Sequence, residues 1–275
     1  MERQLNTADL LLSGEPGGGL DVGAVAAPFR GDGPKAYVPV IVDVDGEDLL
    51  AARDGDKVSC VIYVYALNDK GDIADWLAQP LALDLTKLEP KLHAEPLRFA
   101  GDLMLPPGDY HLRLLVRAGA RGTYGLRDLP IEVPAYDSGR IAVTPAIFPA
   151  PSSGLFIRGK ARTTTPFPFT WNNAAFVPIG LPAAPAQGEA QAIAVVSGVA
   201  SGAIEVSGDL LDAAGKPVEG SSIAMTASEP AGEAAARLEL IVRSGSAAPG
   251  DYTLRLRVSQ AGKAAQSETA LRVTG

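Results

Sequence analysis

The sequence predicts an all-β protein built from two tandem antiparallel β-sandwiches. Short apolar segments alternate with polar positions, and the 30 glycines and 22 prolines are dispersed between them rather than gathered in one tract. This spacing of turn residues is typical of many short strands. One strand-and-turn stretch also occurs twice, as LPPGDYHLRLLVR at residues 105–117 and as AAPGDYTLRLRVS at residues 247–259. The repetition indicates two copies of one kind of domain.

Other landmarks repeat in the same order. AYVPVIV at 36–42 is matched by AFVPIGL at 175–181, and LNDKGDI at 67–73 by LDAAGKPV at 211–218. Four landmark pairs lie 139, 144, 142 and 140 residues apart: Pro39 and Pro178, Gly71 and Gly215, Gly108 and Gly250, and Val133 and Val273. A nearly constant offset predicts one sandwich at 17–136 and a second at 137–275. Residues 1–16 are a lead-in, and the stripe of Leu5, Ala8 and Leu12 favours a short helix there.

The repeated stretch also predicts strand register. One face of each strand is apolar, with Tyr110, Leu112, Leu114 and Val116 in the first copy and Tyr252, Leu254, Leu256 and Val258 in the second. Strict alternation indicates a half-buried antiparallel strand. A tyrosine that enters a strand directly after a Pro-Gly-Asp turn resembles the tyrosine corner of immunoglobulin-like sandwiches. We therefore expect two immunoglobulin- or fibronectin-III-like sandwiches in which Tyr110 and Tyr252 are structural.

Charge and composition narrow the range of partners. The net charge is −8, and residues 1–136 carry all of it, with 21 acids and 13 bases against 11 of each in residues 137–275. No cluster of Lys and Arg is present that could neutralise a row of phosphates, so nucleic acid is not an expected partner. No apolar stretch reaches the ~20 residues that span a bilayer. Cys60 is the single cysteine, which rules out an internal disulfide.

The sequence does not predict an enzyme. It has no Gly-x-Ser-x-Gly motif, and only His93 and His111 are available as imidazole bases. Cys60 alternates with apolar residues in a strand-like segment, which predicts an inert core thiol. No set of three or four residues has the spacing of a zinc site, and we expect no cofactor other than calcium.

The calcium hypothesis concerns the acidic stretch DVDGEDLLAARDGD at 43–56. Its candidate ligands are Asp43, Asp45, Glu47 and Asp48. Calcium binds carboxylate oxygens in acidic loops, although this stretch lacks the spacing of an EF-hand. The alternative is a polar hairpin turn, because Asp-Gly is itself a turn signal.

A second candidate site is the aromatic run TPFPFTWNNAAF at 165–176. Its rings are Phe167, Phe169, Trp171 and Phe176. Exposed aromatic rings stack on sugars or anchor a protein partner. The alternative is that these rings alternate into the core of the second sandwich. Trp76 is open to the same two interpretations.

Several stretches together resemble a known bacterial family. AYVPVIVDVDG, VIYVYALNDKGDIADW, LPPGDYHLRLLVR, GTYGLRDLPIEVP and FPFTWNNAAFVP are similar to the region that follows the von Willebrand factor A-like domain in von Willebrand factor A-related proteins of Acidobacteria and other bacteria. The chain contains no Asp-x-Ser-x-Ser metal-binding motif, so no functional residue carries over. The resemblance implies an exported, non-enzymatic protein that acts in adhesion or protein assembly.

These observations lead to one main functional expectation and two alternatives. The main expectation is an interaction or spacer segment of a larger exported bacterial protein, located outside the cytoplasm, with a protein partner. A cytoplasmic protein remains open, because the chain starts without a signal-peptide pattern. The alternatives are a carbohydrate-binding module that uses the aromatic run, and an accessory segment of an extracellular enzyme.

Overall fold

The computed structural model describes residues 17–136, 139–151, 154–165, 167–171 and 174–275. The expected helix in residues 1–16 lies outside these ranges. The chain forms two compact units. Unit 1 contains the described residues up to Val133 together with those of 152–180, and unit 2 contains those of 134–151 and 181–275.

The described residues form nineteen strands and two helices. The strands are β1 (Gly17–Gly18), β2 (Val22–Ala26), β3 (Ala36–Val44), β4 (Lys57–Asn68), β5 (Ile73–Asp84), β6 (Leu97–Leu105), β7 (Gly108–Ala118), β8 (Thr123–Val133), β9 (Ala142–Val143), β10 (Leu155–Arg158), β11 (Thr170–Trp171), β12 (Ala174–Ala175), β13 (Ala183–Pro185), β14 (Glu189–Ser197), β15 (Glu205–Leu211), β16 (Ser222–Pro230), β17 (Ala235–Arg243), β18 (Gly250–Gln260) and β19 (Lys263–Thr274). The helices are α1 (Gly46–Ala51) and α2 (Leu85–Ala94). The predicted all-β fold class is confirmed.

Unit 1 is a sandwich of two sheets. One sheet has the order β1-β8-β7-β4-β5 and the other β10-β6-β3-β2. The strands form because period-two alternation turns one apolar face inward, as in β4, where every second residue from Val58 to Ala66 is buried. The two inner faces approach closely: a Cβ added to Gly125 of β8 would lie 2.6 Å from the Val22 side chain of β2. The core of unit 1 therefore lies between the two sheets.

Strand β3 is unusual because all nine of its residues are buried. The valines at 38, 40, 42 and 44 face the core, as the sequence predicts. The opposite face carries Tyr37, Ile41 and Asp43, which are also covered. A strand that is buried on both faces needs a further layer over its sheet. Part of that layer comes from the described residues of 154–180, since the backbone amide of Gly180 donates to Asp43 at 3.0 Å.

Unit 2 is also a sandwich, made of two four-stranded sheets. Their orders are β16-β17-β14-β9 and β13-β19-β18-β15. All pairings are antiparallel except that of β13 with the last strand, β19. This division of strands is that of immunoglobulin constant-type domains, where ABED forms one sheet and CFG the other. In unit 2 the extra strand β13 extends the CFG-type sheet.

The structure keeps three of the four landmark pairs in equivalent places. Gly108 and Gly250 begin β7 and β18, Val133 and Val273 end or nearly end β8 and β19, and Gly71 and Gly215 lie in the turns after β4 and β15. The pair Pro39 and Pro178 is different. Pro39 lies in β3, whereas Pro178 also belongs to unit 1, and the strand of unit 2 equivalent to β3 is β14. Similar apolar composition, rather than a shared position in the fold, explains that match.

Candidate interaction surfaces

The two tyrosines of the repeated stretch close equivalent corners. The Tyr110 hydroxyl donates to the Pro106 carbonyl oxygen at 3.0 Å, and the Tyr252 hydroxyl donates to the Ala248 carbonyl oxygen at 2.9 Å. In both cases the acceptor lies four residues upstream, as in a tyrosine corner. Tyr110 is the more buried ring, and its burial raises the pKa of the phenol. Both side chains therefore hold a turn against a strand.

The first of the predicted calcium ligands, Asp43, forms a buried ion pair. Arg98 donates to Asp43 through Nε at 2.8 Å and through Nη2 at 2.9 Å, and the two side chains are only 8% and 5% exposed for Asp43 and Arg98. The two residues are direct partners on neighbouring strands β3 and β6. With the Gly180 amide as a third donor, both oxygens of the Asp43 carboxylate accept hydrogen bonds within the protein.

The other three acids make separate contacts. Asp45 caps α1 by accepting from the Asp48 amide, and Asp48 accepts from the Asp21 amide at 2.6 Å. Glu47 lies 2.6 Å from Nδ1 of His93 on α2. No group of three or more His, Cys, Asp or Glu side chains that could hold a metal ion occurs in the part of the chain that the structure describes. The structure thus does not bring the four acids into one coordination sphere.

The aromatic run lies in unit 1, not in the second sandwich. Phe169 is 1% exposed, and its ring packs edge-on against Phe29 at 5.7 Å and against Phe167 at 4.8 Å. The ring centroids of Phe176 and Phe169 are 6.0 Å apart, and Cζ of the Arg158 guanidinium lies 4.8 Å from the centroid of the Phe167 ring. These rings pack on one another and on unit 1, so they do not form a flat open platform of the kind that stacks on a sugar.

Residues 154–165 and 167–171 form a segment that we call the strap. Its first part is β10, which pairs in parallel with β6 over four residues from Leu155 to Arg158. Further along, Arg162 forms a two-pronged ion pair with Asp75 of β5, at 2.9 and 3.0 Å. Arg162 also donates to the Trp76 and Asp102 carbonyl oxygens. The strap is therefore attached to strands of both sheets of unit 1.

A buried polar cluster lies beside β10. The Tyr37 hydroxyl donates to Asp102 at 3.0 Å, and both residues are almost fully buried. Burial raises the pKa of Tyr37 most strongly, the neighbouring Asp102 carboxylate raises it further, and Arg158 of the strap acts in the opposite direction. The strap thus places the positive charge of Arg158 next to the buried Tyr37 hydroxyl.

The cysteine and the histidines do not form a catalytic arrangement with one another. Cys60 is 1% exposed in β4, and burial raises the pKa of its thiol to about 11. His93 and His111 are each about half exposed and contact different carboxylates, Glu47 and Asp128. The position of Cys60 agrees with the expected core thiol.

The sequence left Trp76 undecided, and the structure places it at the surface. Trp76 is 53% exposed on the edge strand β5, and its ring is stacked on Tyr65 of β4 with centroids 6.0 Å apart and planes 13° apart. Ile73, at the start of the same strand, is 55% exposed. We call Tyr65, Ile73 and Trp76 the Trp76 patch. Among the described residues, its Trp and Ile are the exposed large apolar side chains.

Sequence reasoning left Trp76 undecided and did not identify the patch, because a period-two pattern does not say which face of a strand is covered. The signal that was available is the smallness of the neighbours: Ala78, Pro80 and Ala82 follow Trp76 on the exposed face of β5. A single large ring among small residues is more consistent with an exposed anchor than with a core position.

Comparison with known proteins adds no assignment. No model of a known protein family matches the chain, and no curated protein matches it significantly. In the described residues, no helix is both long and apolar enough to cross a membrane.

Proposed function

We propose that the protein is a non-enzymatic interaction and spacer segment of a larger exported bacterial protein of the von Willebrand factor A-related type, acting in adhesion or protein assembly. The observation that carries the proposal is the Trp76 patch. Exposed Trp is rare on protein surfaces and frequent among the residues that contribute most to binding. A Trp that is half exposed, stacked and placed on a long edge strand has the features of an anchor for a protein partner.

The mechanism is geometric. Each unit is a sandwich in which both sheets are held by long antiparallel ladders, such as the eleven paired positions of β7 and β8. Rigid sandwiches keep a binding surface in a fixed shape, and edge strands and loops meet the partner. In unit 1 the stacking of Trp76 on Tyr65 fixes the orientation of the ring before binding, which reduces the entropy lost on association.

Glycan binding by the aromatic run receives less support. Phe169, its central ring, is buried, and the rings of Phe167 and Phe176 both pack against it. Trp171 is a partly exposed ring of this run. Substitution of Trp171 therefore distinguishes the glycan alternative from the proposed use of Trp76.

The test compares Trp76→Ala with Trp171→Ala. Cell-envelope proteins of the source bacterium and an array of glycans are probed with the wild-type protein and with both variants. We expect wild-type binding to an envelope protein, a loss of affinity of roughly 30-fold for Trp76→Ala, or about 2 kcal/mol, and unchanged affinity for Trp171→Ala. Glycan binding that Trp171→Ala abolishes would instead establish the alternative.

The exported context is tested on the complete coding sequence. We expect a secretion signal and a von Willebrand factor A-like domain upstream of these residues. A reading frame that encodes a catalytic domain next to this segment would favour the accessory role in an extracellular enzyme. A reading frame limited to these residues would contradict the proposed context.

A further inference from the structure

The strap belongs to unit 1, but in the sequence it is separated from the other strands of unit 1 by residues of unit 2. The chain completes β8 at Val133, and the described residues of 134–151 belong to unit 2, those of 152–180 to unit 1, and those that follow to unit 2 again. Strand β10 pairs with the edge of β6 that faces away from β3, in the four-stranded sheet. An unpaired sheet edge is a template for strand addition, and here a distant piece of the same chain fills it.

The strap and its receiving surface are electrostatically complementary. Residues 152–180 contain three basic residues, Arg158, Lys160 and Arg162, and no acid. The surface that they meet is acidic. Asp75 binds the Arg162 guanidinium, Asp32 accepts from the hydroxyls of Thr164 and Thr165 at 3.1 Å, and Arg158 lies beside the Tyr37 hydroxyl, which donates to Asp102. Unit 1 thus holds a basic, extended, Phe-bearing segment in a specific register.

The chain route makes this segment exchangeable. All strap residues lie on the C-terminal side of Val133, in one continuous stretch with the residues of unit 2. Val133–Pro134 is the point of the chain that separates the N-terminal strands of unit 1 from the strap, so an opening there lets the strap be supplied by another copy. Proline favours an extended residue before it, which suits an open connection at this point.

We propose that the strap-receiving edge of β6 is a self-association site, whose partner is the strap of a second copy of this chain. Two copies exchange their straps by opening at Val133–Pro134, so that each N-terminal part of unit 1 is completed by the other chain. The contacts are the same in the exchanged dimer and in the closed monomer, so exchange has a low cost and depends on concentration during folding. Strap exchange requires no outside partner.

A charge swap tests the proposal in the full chain. Asp75→Arg in one chain places two positive side chains opposite each other, and Arg162→Asp in a separate chain places two negative ones opposite each other, so neither chain closes on itself favourably. In an exchanged heterodimer both mismatches disappear, because the two substituted positions meet in one half of the dimer and the native Asp75 and Arg162 meet in the other. Equal amounts of the two chains are refolded together at high concentration and analysed by native mass spectrometry.

We expect heterodimers to exceed homodimers by at least tenfold. The control is one chain with both substitutions, in which the reversed pair is restored internally and the excess of heterodimer disappears. Statistical mixing of the two chains in dimers would indicate association through another surface and would overturn the proposal. Monomers of both variants as the only species would also overturn it.

A disulfide test keeps the native charges in place. A Cβ built on Gly154 lies 3.6 Å from the Cβ of Glu95, within the range of disulfides. In Glu95→Cys/Gly154→Cys, we expect monomers with an internal disulfide after dilute refolding and disulfide-linked dimers after concentrated refolding. The single variants serve as controls and should give no linked dimers through this pair. Internal disulfides at every concentration would contradict strap exchange.

Discussion

Units 1 and 2 share a tyrosine corner and the arrangement of six strands, but one further strand joins different sheets: β5 pairs with β4, whereas β16 pairs with β17. One sheet edge is therefore filled differently in the two units. In unit 2 the strand beside β17 is β16, its neighbour in sequence, joined to it as a hairpin. In unit 1 the connection between β5 and β6 is the helix α2, so the corresponding edge of β6 is left without a neighbouring strand from that part of the chain. The strap supplies the strand, in parallel rather than antiparallel orientation.

The two units also bury different polar groups. Among the described residues, the buried polar side chains of unit 1 are charged: Asp43, Arg98 and Asp102. Those of unit 2 are uncharged: Thr144, Ser244, Gln260 and Thr269. Buried charges need partners, and in unit 1 residues 154–180 provide some of them. A sandwich completed by a distant segment is therefore tied to that segment by electrostatics as well as by packing.

Substitution of the buried ion pair should give the largest difference in stability loss between the two units. Asp43→Ala leaves Arg98 and the Gly180 amide without their acceptor and should destabilise unit 1 by about 5 kcal/mol. The matched variant in unit 2 is Thr144→Val, which removes the acceptor of the Val195 amide and should cost about 1 to 2 kcal/mol. Hydrogen exchange read by mass spectrometry assigns each loss to its unit. Similar costs in the two units would contradict this contrast.

Removal of a packed ring from the strap should give the next largest loss of stability. Phe169→Ala removes a fully buried ring and should cost unit 1 about 4 kcal/mol, with no change in the amide protection of unit 2. Trp171→Ala is the control, since that ring is only partly buried and its removal should cost much less. Loss of protection in β14 or β18 of the Phe169 variant would show that the two units do not unfold independently.

The tyrosine corners allow a matched test with a smaller effect. Tyr110→Phe and Tyr252→Phe each remove one hydroxyl that donates to a carbonyl oxygen. Because Tyr110 is buried and Tyr252 is partly exposed, we expect losses of about 1.5 and about 0.5 kcal/mol, measured by denaturant unfolding. The outside binding of either folded variant should be unchanged. The reverse order of the two losses would refute the role assigned to burial.

The smallest expected effect concerns Cys60, which a thiol reagent should not label in the native state. With a thiol pKa of about 11, only about one Cys60 in a thousand is a thiolate at pH 8, and the side chain is also shielded. A thiol reagent should therefore label Cys60 only as unit 1 unfolds, and the labelling rate should rise in the Phe169→Ala variant. Rapid labelling of the native wild-type protein would contradict the burial of this residue.

Much of the local structure was predictable from the sequence. Alternation in the repeated stretch correctly predicted the buried face of β7 and β18, and the turn before each tyrosine predicted the two corners. The expected core position of Cys60 followed from the alternation in its own strand, β4. The sequence identified Asp43 and Phe169 as candidate site residues, but it did not predict the residues that they contact. Asp43 binds Arg98, 55 residues away, and Phe169 packs in the first unit.

The sequence by itself determined the class of fold, the two copies and the tyrosine corners, because alternation, turn residues and short-range hydrogen bonds are properties of adjacent residues. Only the tertiary structure decided which segment closes the edge of β6 and which side of β5 stays open. A strand pattern carries no information about its neighbour in the sheet, and Arg162 meets Asp75 across 87 residues of chain. Such a pairing is chosen by shape and charge complementarity once the sandwich exists, so it leaves no local mark in the sequence.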